Sequence, residues 1–213
     1  MQLSAAAQWL NTTFAGFDMS ITSAVHKLYE AAGPVMTPFM KLISLLGKEG
    51  IFLILLSLAL MVFRPTRRFG TAMLLGASIG AIFTNLFIKV IIARPRPYAD
   101  VNGFFYPIWD MMGRATESDK SFPSGHTTAA FATMVPVFLL GRKRISWTAL
   151  IFAFLMGLSR IYLVVHYPSD VLGGLIVGTI AGILATLIVQ RWIPQKYYDK
   201  DLFKRDKKGK HEA

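Results

Sequence analysis

The chain contains no cysteine, which excludes disulfide staples, thiolate nucleophiles and thiolate metal sites and leaves its redox compartment open. Charge is scarce as well: 16% of residues are charged, against ~25% in ordinary soluble proteins. The 12 acidic residues form no group at metal-ligand spacing, so no metal and no cofactor are expected. Met1–Ala15 lacks the basic start, long apolar core and small-residue cleavage site of a secretory leader, so insertion into a membrane is expected to rely on internal segments. No repeat of ~20–50 residues is visible either. Apolar residues, in contrast, make up 54% of the 213 residues, with a mean hydropathy of +0.47. One domain, embedded in a membrane, fits these bounds.

A net charge of +11 could point to nucleic acid, but its distribution does not. Fourteen of the 23 basic residues fall at Arg64/Arg67/Arg68, at Arg142/Lys143/Arg144 and in the tail from Arg191 to Lys210. Short basic caps between apolar runs are what the positive-inside rule places in cytoplasmic loops. The expected partners are the lipid bilayer and a lipid substrate, with no nucleic acid, and no feature fixes an oligomeric state.

Five apolar stretches stand out, at 47–63, 69–93, 127–141, 146–165 and 170–193. The second, fourth and fifth reach the ~20 residues that cross hydrocarbon. The first is clean only over Ile51–Phe63, and the third is short with Pro136 inside it, where a kink is expected. Small residues at four-residue spacing, Gly76/Gly80 and Gly174/Gly178/Gly182, allow close helix approach in lipid. The fold class is therefore all-α, a polytopic transmembrane helical bundle of about five spans, possibly six. Residues 1–46, broken by Gly33-Pro34, read as an interfacial N-terminal segment of one or two helices. Residues 47–193 form the transmembrane domain and 194–213 a basic cytoplasmic tail.

Three polar blocks punctuate this apolar chain: Lys89 to Pro97, Pro123-Ser124-Gly125-His126, and Ser159-Arg160 with His166 and Asp170. Arg offers a planar fork to phosphate oxygens and Lys a point charge. Lys89 and Arg96 are seven residues apart, but Pro95 and Pro97 put Arg96 just beyond the helix end. Lys89 also reads as a snorkelling interfacial lysine, and Arg94 is an alternative clamp residue. Ser124 precedes an apolar run, so it reads either as a helix cap or as part of an anion site made with Gly125. Pro168 suits a first helical turn, which places Asp170 where it can accept a hydrogen bond from His166 and fix its tautomer. Tyr98–Phe122 contains Tyr98, Phe104, Phe105, Tyr106, Trp109, Met111 and Met112, and reads as an interfacial belt or, alternatively, as a lid over the site. His26 and His211 lie outside every block.

The three blocks and their order resemble the type 2 phosphatidic acid phosphatase family, which includes membrane lipid phosphatases and soluble haloperoxidases. The resemblance is dense over residues 89–170. It implies His166 as nucleophile, His126 as general acid and Asp170 as the residue orienting His166. Lys89, Arg96, Ser124, Gly125 and Arg160 would hold the phosphate. The implied activity is a metal-independent lipid-phosphate phosphatase working through a phosphohistidine. Undecaprenyl diphosphate, or another polyprenyl diphosphate, is the expected substrate; phosphatidate or phosphatidylglycerophosphate is the runner-up, and phosphoryl transfer to another lipid a third reading. A small transporter or channel is the non-enzymatic rival, but it predicts charges spread through the spans. Here the basic caps alternate with the three blocks, so all three meet at one membrane face, expected to be extracytoplasmic.

Overall fold

The computed structural model describes residues 3–199; most of the expected basic tail, 200–213 with His211, lies outside the described residues. Among the described residues all regular structure is helical. Helix α1 (Ala5–Thr13) starts at Ser4, whose Oγ accepts from the Ala7 amide at 3.0 Å. Helix α2 (Ala15–Leu46) breaks at Ala32, with φ −148° and ψ 27°, next to the Gly33-Pro34 pair. After Gly47 the chain turns through Lys48–Gly50, where Glu49 and Gly50 both have positive φ, into α3 (Ile51–Val62).

Helix α4 (Arg67–Ala81) continues through a π-helical stretch, Ile82–Ile88, into the last turn α5 (Lys89–Ile92). That turn stops at Ala93, which is left-handed, and Arg96 lies beyond it in extended backbone, as Pro95 and Pro97 require. A short helix, α6 (Phe105–Met111), leads to α7 (Gly125–Leu140), α8 (Lys143–Tyr162), α9 (Pro168–Trp192) and α10 (Gln195–Asp199). By length and apolar composition Arg67–Ala99, Lys143–Tyr162 and Pro168–Trp192 each qualify to cross a membrane. The N-terminal region adds a pair, Ala15–Leu46 with Lys48–Val62, that qualifies together across a 42° bend.

Helix α7, with 16 residues, is shorter. It is the axis of the bundle, surrounded by α4, α8 and α9, and Thr127 through Pro136 are buried almost without interruption. Its helical backbone continues through Pro136. Both glycine stripes face it. A Cβ on Gly76 would stand 2.2 Å from the Ala132 carbonyl oxygen, and one on Gly178 2.5 Å from that of Thr128. Those contacts admit glycine alone, and they explain the four-residue spacing. Buried hydroxyls on α7 turn back on the helix, Thr128 to Ser124 O at 3.0 Å and Thr133 to Ala129 O at 2.8 Å, so neither is left bare among apolar neighbours.

The exterior is apolar: Leu55, Leu86, Phe87, Phe154, Ile176 and Leu187 all face outward. Buried Lys89, Arg94, Arg96, Arg160 and Asp170 face inward. That inside-out distribution belongs to an integral membrane protein. Helix α2 lies along α8, with Thr37 Oγ1 2.8 Å from the Tyr162 hydroxyl. Its Asp18 reaches the buried interior.

Candidate active site

The end of the bundle away from Arg64–Arg68 and Arg142–Arg144 holds a cavity of about 650 Å³. Each element delivers its side chain by a local device. The left-handed stop at Ala93 releases Arg96 from the α5 axis, while Lys89 stays on the last helical turn. Ser124 begins α7, so Gly125 and His126 open its first turn. Arg160 closes α8, and the turn after it, with Val164 at positive φ, folds His166 back under the cavity. Lys89, Arg96, Gly125, His126, Arg160 and His166 all line the cavity. The three blocks thus meet.

Around His166 the polar contacts define a tautomer. Arg96 Nη1 lies 2.8 Å from Nε2 of the imidazole and 2.7 Å from the Val165 carbonyl oxygen. A guanidinium only donates, so Nε2 accepts and the ring proton sits on Nδ1. Nδ1 is 3.5 Å from Asp170 Oδ2, at ion-pair distance but with no closed hydrogen bond. Burial, followed by the positive charges of Arg96, Arg160 and Lys89, holds His166 well below the ordinary imidazole pKa. The ring is therefore neutral, with a lone pair directed at the cations.

Ser124 and Asp170 stand behind the cavity wall. Ser124, fully buried, is the helix cap: its Oγ accepts from the Thr127 amide at 3.4 Å and lies 2.9 Å from Thr127 Oγ1. A Cβ on Gly125 would sit 3.5 Å from Lys89 Nζ, so glycine there leaves room for an anion beside the lysine. Asp170, in the first turn of α9, accepts from the Tyr167 amide at 3.0 Å, from Ser121 Oγ at 2.5 Å and from Arg94 Nη1 at 2.7 Å.

The sequence motifs do not foresee several of the polar contacts around the site. Arg94 is no clamp residue; it is buried, 3.8 Å over the Tyr167 ring, and bridges Asp170 to Asp18 of α2 at 2.9 Å. Asp18 also accepts from the Ser169 amide and hydroxyl, both at 2.8 Å. The available signal was one carboxylate in the apolar run Phe14–Ser20, since an ionisable residue in such a run calls for a partner. Glu117 and Asp119 are unforeseen as well. Asp119 pairs with Lys89 and Arg96, and Glu117 with Arg160. Burial raises the Asp119 pKa, but Lys89 and Arg96 outweigh it and leave the carboxyl below its ordinary value. The cation cluster thus already holds anionic oxygens, in the manner expected of a phosphate clamp.

The aromatic segment packs beside the site, and none of its aromatic or methionine side chains lines the cavity. Tyr98 stacks on Trp109 at 4.7 Å, Trp109 Nε1 donates to Ala115 O at 2.7 Å, and Trp109 and Met112 are buried against Tyr162–Val165. His126 presents Cδ2 only 2.7 Å from where a Gly47 Cβ would be, so α2 ends pressed against that imidazole.

A family model described as PAP2 superfamily matches residues 69–194. An undecaprenyl-diphosphatase, BcrC of Bacillus subtilis (strain 168), is 38% identical over 106 residues, which is 50% of this chain and 51% of that protein. The match thus spans about half the length of that relative. An undecaprenyl-diphosphatase of Sulfolobus acidocaldarius is 30% identical over 149 residues, 70% of this chain and 68% of that one. Among solved structures, the first transmembrane PAP2-type phosphatidylglycerolphosphate phosphatase from Bacillus subtilis superposes with a TM-score of 0.65 at 26% identity, covering 88% of this chain and 91% of that one. With its three polar blocks gathered in one cavity and the family model covering them all, the chain belongs to the PAP2 superfamily.

Proposed function

We propose that this protein is a membrane lipid-phosphate phosphatase that hydrolyses a polyprenyl diphosphate, such as undecaprenyl diphosphate, to the monophosphate through a phosphohistidine. The observation that carries it is the contact of Arg96 Nη1 with His166 Nε2 at 2.8 Å, beside a cavity lined by Lys89, Arg96, Arg160, His126 and His166 itself. The terminal phosphate displaces Asp119 and Glu117 from the cations and draws Arg96 Nη1 off Nε2 onto its own oxygens, which frees the Nε2 lone pair to face the phosphorus. The Nε2 lone pair then forms the P–N bond as the bridging P–O bond breaks, and Asp170 steadies the proton left on Nδ1. Lys89, Arg96, Arg160 and the start of α7 stabilise the charge on the equatorial oxygens. With a diphosphate His126 enters neutral and takes a proton from the water that cleaves the P–N bond; with a monoester it enters protonated, gives that proton to the leaving oxygen and then serves as the same base. Inorganic phosphate departs and His166 is regenerated.

The polyprenyl diphosphate reading is supported by the names of the Bacillus and Sulfolobus relatives. The likeness to a phosphatidylglycerolphosphate phosphatase favours that lipid as the second reading. Five crossings, counting α3, α4–α5, α7, α8 and α9, would set the cavity on the extracytoplasmic side and the tail in the cytoplasm. The test is phosphate release by purified protein in detergent with EDTA, over a panel of lipid mono- and diphosphates. Release that survives EDTA, is blocked by vanadate and is fastest on the polyprenyl diphosphate is expected. Loss with EDTA that magnesium restores contradicts the mechanism. Preference for phosphatidylglycerophosphate selects the second reading.

A further inference from the structure

The cavity carries more positive charge than one phosphate needs. Lys89, Arg96 and Arg160 are each paired with Asp119 or Glu117, but Lys41 and Lys48 also line it and carry no hydrogen bond or ion pair among the described residues. With Glu49 counted, five cations face three carboxylates. Both lysines lie at the end of the bundle away from the basic caps, where the positive-inside rule expects few cations.

Their placement is defined. Lys41 and Ser44 are three residues apart on α2, and Ser44 Oγ is bonded to Arg160, so that face of the helix looks at the clamp. Lys41 Nζ lies 3.2 Å from where a Gly113 Cβ would stand, at the start of the loop that carries Glu117 and Asp119. Lys48 follows Gly47, the residue pressed onto His126. Lys48 therefore borders the cavity beside His126, and Lys41 borders it beside the Gly113 loop.

We infer that Lys41 and Lys48 form a second phosphate subsite, which holds the leaving phosphate of a lipid diphosphate and sets its preference over monoesters. The inference rests on the reading of the cavity as a lipid-phosphate site and deepens it. When Nε2 of His166 takes the terminal phosphorus, the bridging oxygen departs towards His126 as part of a lipid monophosphate. Charge gathers on that second phosphate as the bond breaks, and the lysines stabilise it. A monoester places an uncharged alcohol there and gains no charge pairing from them.

The test uses the full-length protein with Lys41→Gln and Lys48→Gln combined, assayed by phosphate release from a short-chain phosphatidate. Methylenediphosphonate and methylphosphonate serve as competing inhibitors. The wild type is expected to bind the diphosphonate more tightly by roughly tenfold or more, the effect of added charge-assisted hydrogen bonds. In the double variant that gap collapses, while methylphosphonate inhibition changes little. Lys48→Arg keeps most of the gap, because the charge remains. A gap that persists in the double variant, or equal weakening of both inhibitors, overturns the subsite. A wild type that releases phosphate from no lipid diphosphate defeats the substrate reading above, and the inhibitor gap still decides separately whether the lysines hold a second phosphate.

Discussion

On the proposed mechanism two demands meet in the His166 ring: it must be neutral to attack, and it must sit among the cations that would bind the phosphate. Burial together with Arg96, Arg160 and Lys89 resolves this by holding its pKa well below the ordinary value. A histidine so shifted stays neutral as pH falls through ~6.5, where a free imidazole would take a proton. Nitrogen NMR of the histidine-labelled protein, assigned with His166→Gln, is therefore expected to show Nε2 unprotonated and Nδ1 protonated well below that pH. A His166 signal that titrates at ~6.5 or above contradicts the site as described. Lys89, Arg160 and both imidazoles of the cavity are legible in the sequence, because each lies within a compact block of polar residues in apolar surroundings; Arg96 is told from Arg94 only by the family resemblance. Glu117 and Asp119 are not, because their partners lie 23 to 43 residues away along the chain, and only the fold brings them onto Lys89, Arg96 and Arg160.

The helices show where local reading succeeds and where it stops. Glycine spacing forecast close approach and Pro95 with Pro97 forecast the end of α5, since both are properties of the backbone itself. Helix α7 was ambiguous by length, and its even burial explains why: a helix enclosed on all sides has no lipid face to betray it. The N-terminal helix α2 was read without any tie to the site. Its tie is the buried chain Asp18–Arg94–Asp170, in which one guanidinium serves two carboxylates at 2.9 and 2.7 Å. Removing one partner of such a group strands the charge on the others, at a cost of about 3–5 kcal/mol. Asp18→Ala should thus lower the melting temperature in detergent and reduce kcat, although Asp18 does not line the cavity. Wild-type stability in Asp18→Ala would show that α2 is only laid against the bundle.

Over the whole molecule, charge and topology form one pattern. Basic caps occupy one end of the bundle and the cavity the other, so under the proposed function the positive-inside rule predicts substrate phosphate on the outer side. The lack of native cysteine makes this directly testable with single thiols. Lys120→Cys, in the loop beside Asp119, should react with an impermeant reagent in intact cells, and Lys143→Cys only after lysis. The reverse labelling would place the cavity on the cytoplasmic side. All of the proposed chemistry depends on His166 carrying the phosphoryl group, so the decisive experiment is to trap that intermediate. A diphosphate expels a weakly basic phosphate, so His126→Ala should still form the intermediate yet lose the base that directs water onto it, a contribution of roughly 10²–10⁴-fold. His126→Ala, mixed with a lipid diphosphate radiolabelled in its terminal phosphate and quenched, should retain a protein-bound, acid-labile and alkali-stable label on His166, absent from the His126→Ala/His166→Ala double variant. Continued phosphate release with no bound label, or a label that survives His166→Ala, would contradict it.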